Sequence, residues 1–346
     1  MGLFQNRKQI NGKTQVPVWF MRQAGRYHDH YQNIRRQYGF MQMCKQPELA
    51  VEITMGPIRD FDFDAAILFS DLLFPLEQLN LGLSYEMGPP TLEKKLDSVE
   101  LIRSLQPSEA AESFYHFQAD ALRELRQTLS QDKSLLGFVG APFTLYTYAC
   151  EGSHSGNLSS SKLGLRDGRY QAFLEKLLPE LLQNMIIQAN ANADAICLFD
   201  TAAGELTPKD FATYIVPIIR QLSCDFKKAC PDTRLVYYSK MTQLAHLQTI
   251  EDQNIDVLGV DWRHDMALSL DQLGKDYMIQ GNLDPSHLFL PWKNLQDELR
   301  YLWNRVCASK TSPDRWIMGL GHGVLPGTPQ NNVADTVKFV HENFLY

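Results

Sequence analysis

The sequence has few of the features that announce a nucleotide, a metal or a membrane. It contains neither GxGxxG after an apolar run nor GxxxxGK[ST], so both glycine-rich phosphate cradles are excluded. Its six cysteines, Cys44, Cys150, Cys197, Cys224, Cys230 and Cys307, form no CxxC pair. Scattered through apolar and helical stretches, they read as reduced intracellular thiols rather than a disulfide frame. HExxH, HxxE and HxC are all missing, which argues against a metal site, so His28 and His30 around Asp29, and His264, are expected to be exposed loop histidines. No uninterrupted apolar run reaches the ~18 residues of a membrane span. The first stretch, "MGLFQNRKQINGKTQ", has no apolar core, so a secretion signal is not expected. Positive charge is also short: Lys+Arg 33 against Asp+Glu 40 gives a net charge of −7. That balance disfavours general binding to nucleic acid or to an anionic membrane, and an anionic ligand would need locally concentrated positive charge. With 346 residues, 44% of them hydrophobic and 21% charged, the composition is that of an ordinary globular cytoplasmic protein with a sizeable core.

What the chain does have is a rhythm. Short runs, apolar on both faces, recur at 16–21, 65–69, 135–140, 195–199, 235–239, 257–260, 277–282 and 316–321. Such runs suit parallel strands buried on both sides. Amphipathic stretches separate them. "PELAVEITMGPIRDF" opens on a proline suited to a first helical turn, and "SEAAESFYHFQADALRELRQTLSQ" has Ser108 and Glu112 near its expected start. In "RYQAFLEKLLPELLQNMIIQANANA" and "TPKDFATYIVPIIRQLSCDFKKAC", Pro179 and Pro217 are expected to bend or break the helix. "NVADTVKFVHENF" is the last. Strand–helix alternation repeated seven or eight times with no linker predicts one (β/α)8 barrel over 1–346. The polar segment 151–168 reads equally as a lid over a site or as an idle loop.

In a barrel the chemistry lies at the carboxyl ends of the strands. The residues there include Asp71, Thr144, Tyr146, Tyr148, Asp200, Thr201, Lys240, Asp261, Asp284 and His322. Asp200, Asp261 and Asp284 are expected to be helix caps, the commonest use of an Asp after a strand. Asp71 differs, because "AILFS" and "LLFP" flank it and a buried carboxylate needs donors. Asp71, Thr201 and His322 therefore mark one shared pocket. The glycines around His322 indicate close backbone approach to a ligand or to another strand. Either Tyr146 or Tyr148 is expected to be core.

The local positive charge is in "MRQAGRY", where Arg22 and Arg26 follow the apolar "VPVWF", with Arg35 and Arg36 just beyond. Together with "DAAILFSD", "GAPFTLYTYACEG", "GVDW", "QGNLDP" and "GLGHGVLPGTP", in this order across nearly the whole chain, this stretch resembles the uroporphyrinogen decarboxylase family. The resemblance implies a distorted single-domain (β/α)8 barrel, a homodimer, and no metal or organic cofactor. The reaction it implies is loss of the four acetate carboxylates of uroporphyrinogen to give coproporphyrinogen. By the same resemblance Arg22, Asp71 and Tyr148 are the catalytic residues, Arg22 as donor or positioner of the proton and Asp71 as acceptor from the pyrrole N–H groups. Arg26 and Arg35 would bind carboxylates, Phe69 and Phe199 would wall the macrocycle, Thr201 would support Asp71 or the reacting arm, and His322 would stand near a propionate or acetate arm. The chain departs from the family at His28-Asp29-His30-Tyr31, where Leu-Pro-Glu-aromatic is usual, and at Gly319, where Asn is usual. A corrinoid-dependent methyltransferase on the same fold would need the absent HxC, and a tetrapyrrole carrier would need the arginines but not Asp71.

Overall fold

Of the 346 residues, the computed structural model describes all but Met1, Gln5, Asn6, Glu86, Met87, Gly88, His154 and Ser155. Seven of the eight apolar runs are strands: β1 (Ala65–Ile67), β2 (Ser134–Gly140), β3 (Ala195–Asp200), β4 (Arg234–Ser239), β5 (Val257–Gly259), β6 (Met278–Leu283) and β7 (Trp316–Leu320). Each pairs in parallel with its neighbour in sequence, giving one curled sheet that runs from β7 to β1.

The eighth run occupies the gap between the two edges without becoming a regular strand. On one side Val18 bridges Met318 in parallel, with Met318 N–H donating to Pro17 at 2.9 Å and Trp19 N–H to Met318 at 3.2 Å. On the other side Asp64 N–H donates to the Val18 carbonyl at 3.0 Å, and Val18 N–H donates to the Asp64 carboxylate at 2.7 Å. Pro17 has no N–H to offer a ladder. The run therefore closes the barrel through isolated bonds, and this seam is the distortion in the (β/α)8 fold.

Parallel strands need crossovers, and helices supply most of them. They are α1 (Asp29–Arg35), α2 (Pro47–Phe61), α3 (His116–Thr128), α4 (Pro142–Glu151), α5 (Arg169–Asn190), α6 (Val216–Ala229), α7 (Met266–Leu273), α8 (Trp292–Cys307) and α9 (Gln330–Asn343). Side chains alternate along each strand. Ile67, Phe138, Cys197, Phe199 and Tyr238 fill the barrel interior, while Ala66, Val139, Leu198 and Tyr237 pack outward under the helices. Buried on both faces, the strands could not have shown an alternating pattern.

Two helix expectations change. The stretch expected to begin near Ser108 starts at Ala111 and divides at Tyr115 into Ala111–Phe114 and α3, because Ser108 is taken by Gln78 through both its N–H and its hydroxyl. Pro179 does not break α5. It is exposed, as is Glu175 four residues earlier, so the carbonyl that loses its donor faces water. Pro217 does disturb its helix, since residues Phe211–Ile215 just before α6 form a π turn. Among the described residues no helix is long and apolar enough to cross a membrane.

Candidate active site

The "MRQAGRY" loop leaves the seam and is pinned from beneath. Gln23 is buried, and its side-chain amide donates to the Ala65 carbonyl at 2.8 Å while its Oε1 accepts Phe20 N–H at 3.3 Å. The Tyr27 hydroxyl donates to the Gln23 carbonyl at 2.7 Å. With Gln23 and Tyr27 turned inward, Arg22 and Arg26 face solvent, as does Arg35 on α1. Among the described residues none of these three arginines has a carboxylate within ion-pair distance. Arg26 and Arg35 lie close enough to Tyr31 for their charges to act on its hydroxyl.

Below the loop, half-buried Asp71 follows β1. Its Oδ1 accepts the Leu73 N–H at 2.7 Å in a tight local turn, and the Tyr85 hydroxyl donates to its carboxylate. Burial pushes the Asp71 carboxyl above its ordinary value, against the pull of these two donors and of the Arg22 charge. Tyr148 faces the same place: burial first, then the Asp71 charge, push its hydroxyl up to about 12. It therefore stays protonated, a donor rather than a base, at neutral pH. Tyr146 is the core member of the pair, fully buried against Tyr170 and Phe173. Arg22, Asp71 and Tyr148 thus form one electrostatic group.

The walls are aromatic. Phe69 lies 5.5 Å from the Tyr31 ring and 6.0 Å from Phe40, which in turn lies 4.6 Å from Tyr85. Phe199 sits deeper, between Phe138 at 5.7 Å and Tyr238 at 6.2 Å. His322 is edge-on to Tyr238 at 6.3 Å, and the Tyr238 hydroxyl donates to the Gly321 carbonyl at 2.7 Å. Thr201, half-buried just past β3, has no hydrogen bond among the described residues that links it to Asp71. Tyr85, Tyr31 and Phe40 are site residues that sequence reasoning did not single out. Tyr85 sits beside a two-strand hairpin, Leu83–Ser84 with Thr91–Leu92, and no local pattern flags it.

The other strand-end carboxylates divide three ways. Asp284 caps a short helix as expected, accepting Ser286 N–H. Asp261 does not cap one: fully buried, it accepts Met241 N–H at 2.7 Å and pairs with Arg263 at 2.7 Å. Asp200 is sealed under the barrel wall, where it accepts the Thr144 hydroxyl at 2.7 Å, the Tyr237 hydroxyl at 3.1 Å and the Ala203 N–H at 3.3 Å. Burial pushes Asp200 up to about 6. Its turn-capping bond is part of a wider polar knot.

The "YHDHY" histidines are not the exposed loop residues expected. His28 is 2% exposed, 4.7 Å from the Phe61 ring, and its Nε2 meets Asp60 at 2.7 Å. His264 bonds the Thr242 carbonyl at 2.7 Å. Asp29 exchanges two hydrogen bonds with Gln330, at 2.8 and 3.2 Å. His28 and Asp29 thus fasten α1 to α2 and α9, while Tyr31 of the same stretch stands against Phe69. A Cβ at Gly319 would first meet the end of the buried Gln280 side chain and then the Trp19 carbonyl. The polar segment after α4 is held in place beyond its two undescribed residues, with Ser161 bonded to Glu151 and Arg169 to Ser160.

A parallel barrel that presents arginines unpaired among the described residues, and a carboxylate–tyrosine group at the carboxyl ends of its strands, defines a (β/α)8 protein suited to an anionic ligand with several carboxylates. The chain belongs to the uroporphyrinogen decarboxylase family, whose pattern it matches over residues 7–343. It is 36% identical over 333 residues to the uroporphyrinogen decarboxylase of Roseiflexus sp. (strain RS-1), spanning 94% of each chain. With that of Chloroflexus aggregans the identity is 36% over 342 residues, 96% of this chain and 93% of that one. With that of Geobacter metallireducens it is 34% over 330 residues, 94% of each. A solved methyltransferase from Methanosarcina mazei superposes with a TM-score of 0.74 at 14% identity, over 97% of this chain and 95% of that one. At that identity the likeness is one of fold alone.

Proposed function

We propose that the protein decarboxylates the four acetate side chains of uroporphyrinogen, giving coproporphyrinogen and CO2 in tetrapyrrole biosynthesis. One observation carries the reading: on a chain of net charge −7, Arg22, Arg26 and Arg35 stand without acidic partners among the described residues, and the Arg22 charge acts on the half-buried carboxylate of Asp71. An octacarboxylate needs fixed positive forks, and arginine supplies them bidentately. A buried carboxylate beneath them serves only a ligand that also presents N–H groups or develops positive charge.

The pyrrole meets both conditions. Protonation of the ring carbon beside an acetate arm makes the ring a cationic electron sink. The bond between the methylene and the carboxylate carbon then breaks, its electrons flow into the ring, and CO2 leaves. The methylene takes up a proton to become a methyl, and the ring carbon releases the one it gained. The net change for each arm is one carboxylate and one proton converted to C–H and CO2. Asp71 accepts from the pyrrole N–H groups and offsets the ring cation electrostatically. Tyr85 and Leu73 hold its carboxylate, and Tyr148 adds a hydroxyl donor. Arg22 positions the reacting arm and the proton delivered to it, while Arg26 and Arg35 hold outer carboxylates. Phe69 and Phe199 wall the macrocycle, Thr201 and His322 support side arms, and the chemistry needs no electron sink beyond the substrate's own ring.

One domain spanning 1–346 carries this activity. It acts in the cytoplasm, in keeping with six free thiols, and as the homodimer the family resemblance implies, which sedimentation of the purified chain tests. The activity is tested by anaerobic incubation of chelator-treated protein with chemically reduced uroporphyrin, with products oxidised and separated by carboxylate number. A ladder from eight carboxylates to four is expected. An unchanged octacarboxylate refutes the reading.

A further inference from the structure

Gly321 and Gly323 flank His322 in the turn after β7, and each is glycine for its own reason. A Cβ on Gly321 would overlap the backbone of Trp262 and Asp261, so that glycine serves strand-to-strand packing. A Cβ on Gly323 would first meet three atoms of a single residue, Arg22: Cδ at 2.5 Å, Cγ at 2.7 Å and Cβ at 3.1 Å. These are the stem of the arginine, not its mobile head, and they cannot swing aside without carrying the guanidinium with them. Gly323 itself is not in the left-handed region, so its backbone makes no demand for glycine. The nearest obstacles to a side chain there are all atoms of the arginine.

Arg22 is the strained partner. Its φ is +58°, a conformation L side chains rarely adopt and one that persists only where the surroundings enforce it. They do so here on both sides: Val324 N–H donates to the Met21 carbonyl at 2.9 Å, and Gln23 is tied to Ala65. The backbone is thereby fixed, and the stem lies flat on Gly323. From there the Arg22 charge acts on Asp71, Tyr148 and Tyr238 together.

We propose that Gly323 is a positioning residue for the decarboxylation: its missing side chain is the seat for the Arg22 stem, and the seat aims the guanidinium at the arm that reacts above Asp71. The proposal rests on the role given to Arg22 under the proposed function.

A double-mutant cycle with Gly323→Ala, Arg22→Gly and the pair together tests it, reading turnover and melting temperature on the full chain. Gly323→Ala is expected to lower kcat about 10- to 100-fold, the loss typical of a catalytic group displaced by about 1 Å. Arg22→Gly is expected to lower it at least as far. Once the stem is gone, adding Gly323→Ala should change kcat less than about 2-fold and should leave the melting temperature of Arg22→Gly unaltered. If Gly323→Ala multiplies the loss of Arg22→Gly by its own full factor, or destabilises both backgrounds equally, the seat is refuted. If Gly323→Ala fails to fold alone but folds with Arg22→Gly, the clash with the stem is established. An Arg22→Gly protein with full turnover would defeat the role of Arg22 and the aiming with it. A wild-type protein with no decarboxylation would defeat the proposed function, and the melting temperatures would then decide the seat alone.

Discussion

Asp71 and Asp200 stand at the same level of the barrel, one just past β1 and the other at the end of β3, and burial raises both carboxyls. Their surroundings separate them. Asp200 is 0% exposed and takes two hydroxyl donors and a backbone N–H. Asp71 is half-buried and takes one hydroxyl and one N–H. A carboxylate has about four lone-pair sites. Asp200 is close to saturated and its remaining surface is sealed, whereas Asp71 takes fewer donors and lies within reach of the Arg22 charge. The two carboxylates differ in what they leave unfilled, more than in how their affinity for a proton has moved, and that difference is what the role proposed for Asp71 rests on.

Substitution should separate the pair in opposite directions. Asp71→Asn is expected to produce the largest effect, a fall in turnover of about 10²- to 10³-fold, the loss typical when a group opposing transition-state charge is removed. Its melting temperature should stay at or above that of the wild type, because the charge that burial disfavours is gone. A carrier protein would tolerate the change, so a variant with unaltered product profile breaks the comparison.

Asp200→Asn is expected to spare most of the turnover and to change how stability depends on pH. The folded carboxyl holds its proton more tightly than the unfolded one, with its value raised from 3.8 to about 6. Its contribution is therefore fully present below the lower value, is lost as pH rises through the higher one, and is constant above it. Urea unfolding across that window should show the wild type losing up to about 3 kcal/mol relative to Asp200→Asn as pH rises. Parallel curves for the two proteins would show that Asp200 titrates alike folded and unfolded.

The smallest effect is expected from His28→Leu, which restores the residue usual in the family. His28 packs on Phe61 and Asp60, away from the Asp71 group, so turnover and the product ladder should change less than about 2-fold. A shift in which intermediates accumulate would place "YHDHY" in the substrate's path after all.

The strands were legible because continuous apolar runs bounded by polar residues leave few alternatives. The seam was legible as an apolar run but not as an irregular closure, which depends on Pro17 meeting Met318 and Asp64 across the fold. Arg22, Asp71 and Tyr148 could be singled out and do converge. Tyr85 could not, because a tyrosine in a hairpin loop has no periodicity to betray it. Asp261 was mistaken for a cap because a cap and a turn-holding carboxylate share the same local sequence, and only Arg263 and the Met241 N–H distinguish them. His28 was misjudged as exposed for a related reason: the ring that covers it, Phe61, comes from α2.

The seam also imposes an order of assembly. Val18 finds its parallel partner at Met318, so the contact that closes the ring joins residues 300 apart in sequence and carries a large loop-closure entropy. During synthesis the arginine loop emerges early, yet it has nothing to lie against until the last strand and the glycines behind it have been made. A nascent or truncated chain would carry Arg22 and Arg26 with no means of orienting them, so the arrangement of this loop arrives late in folding.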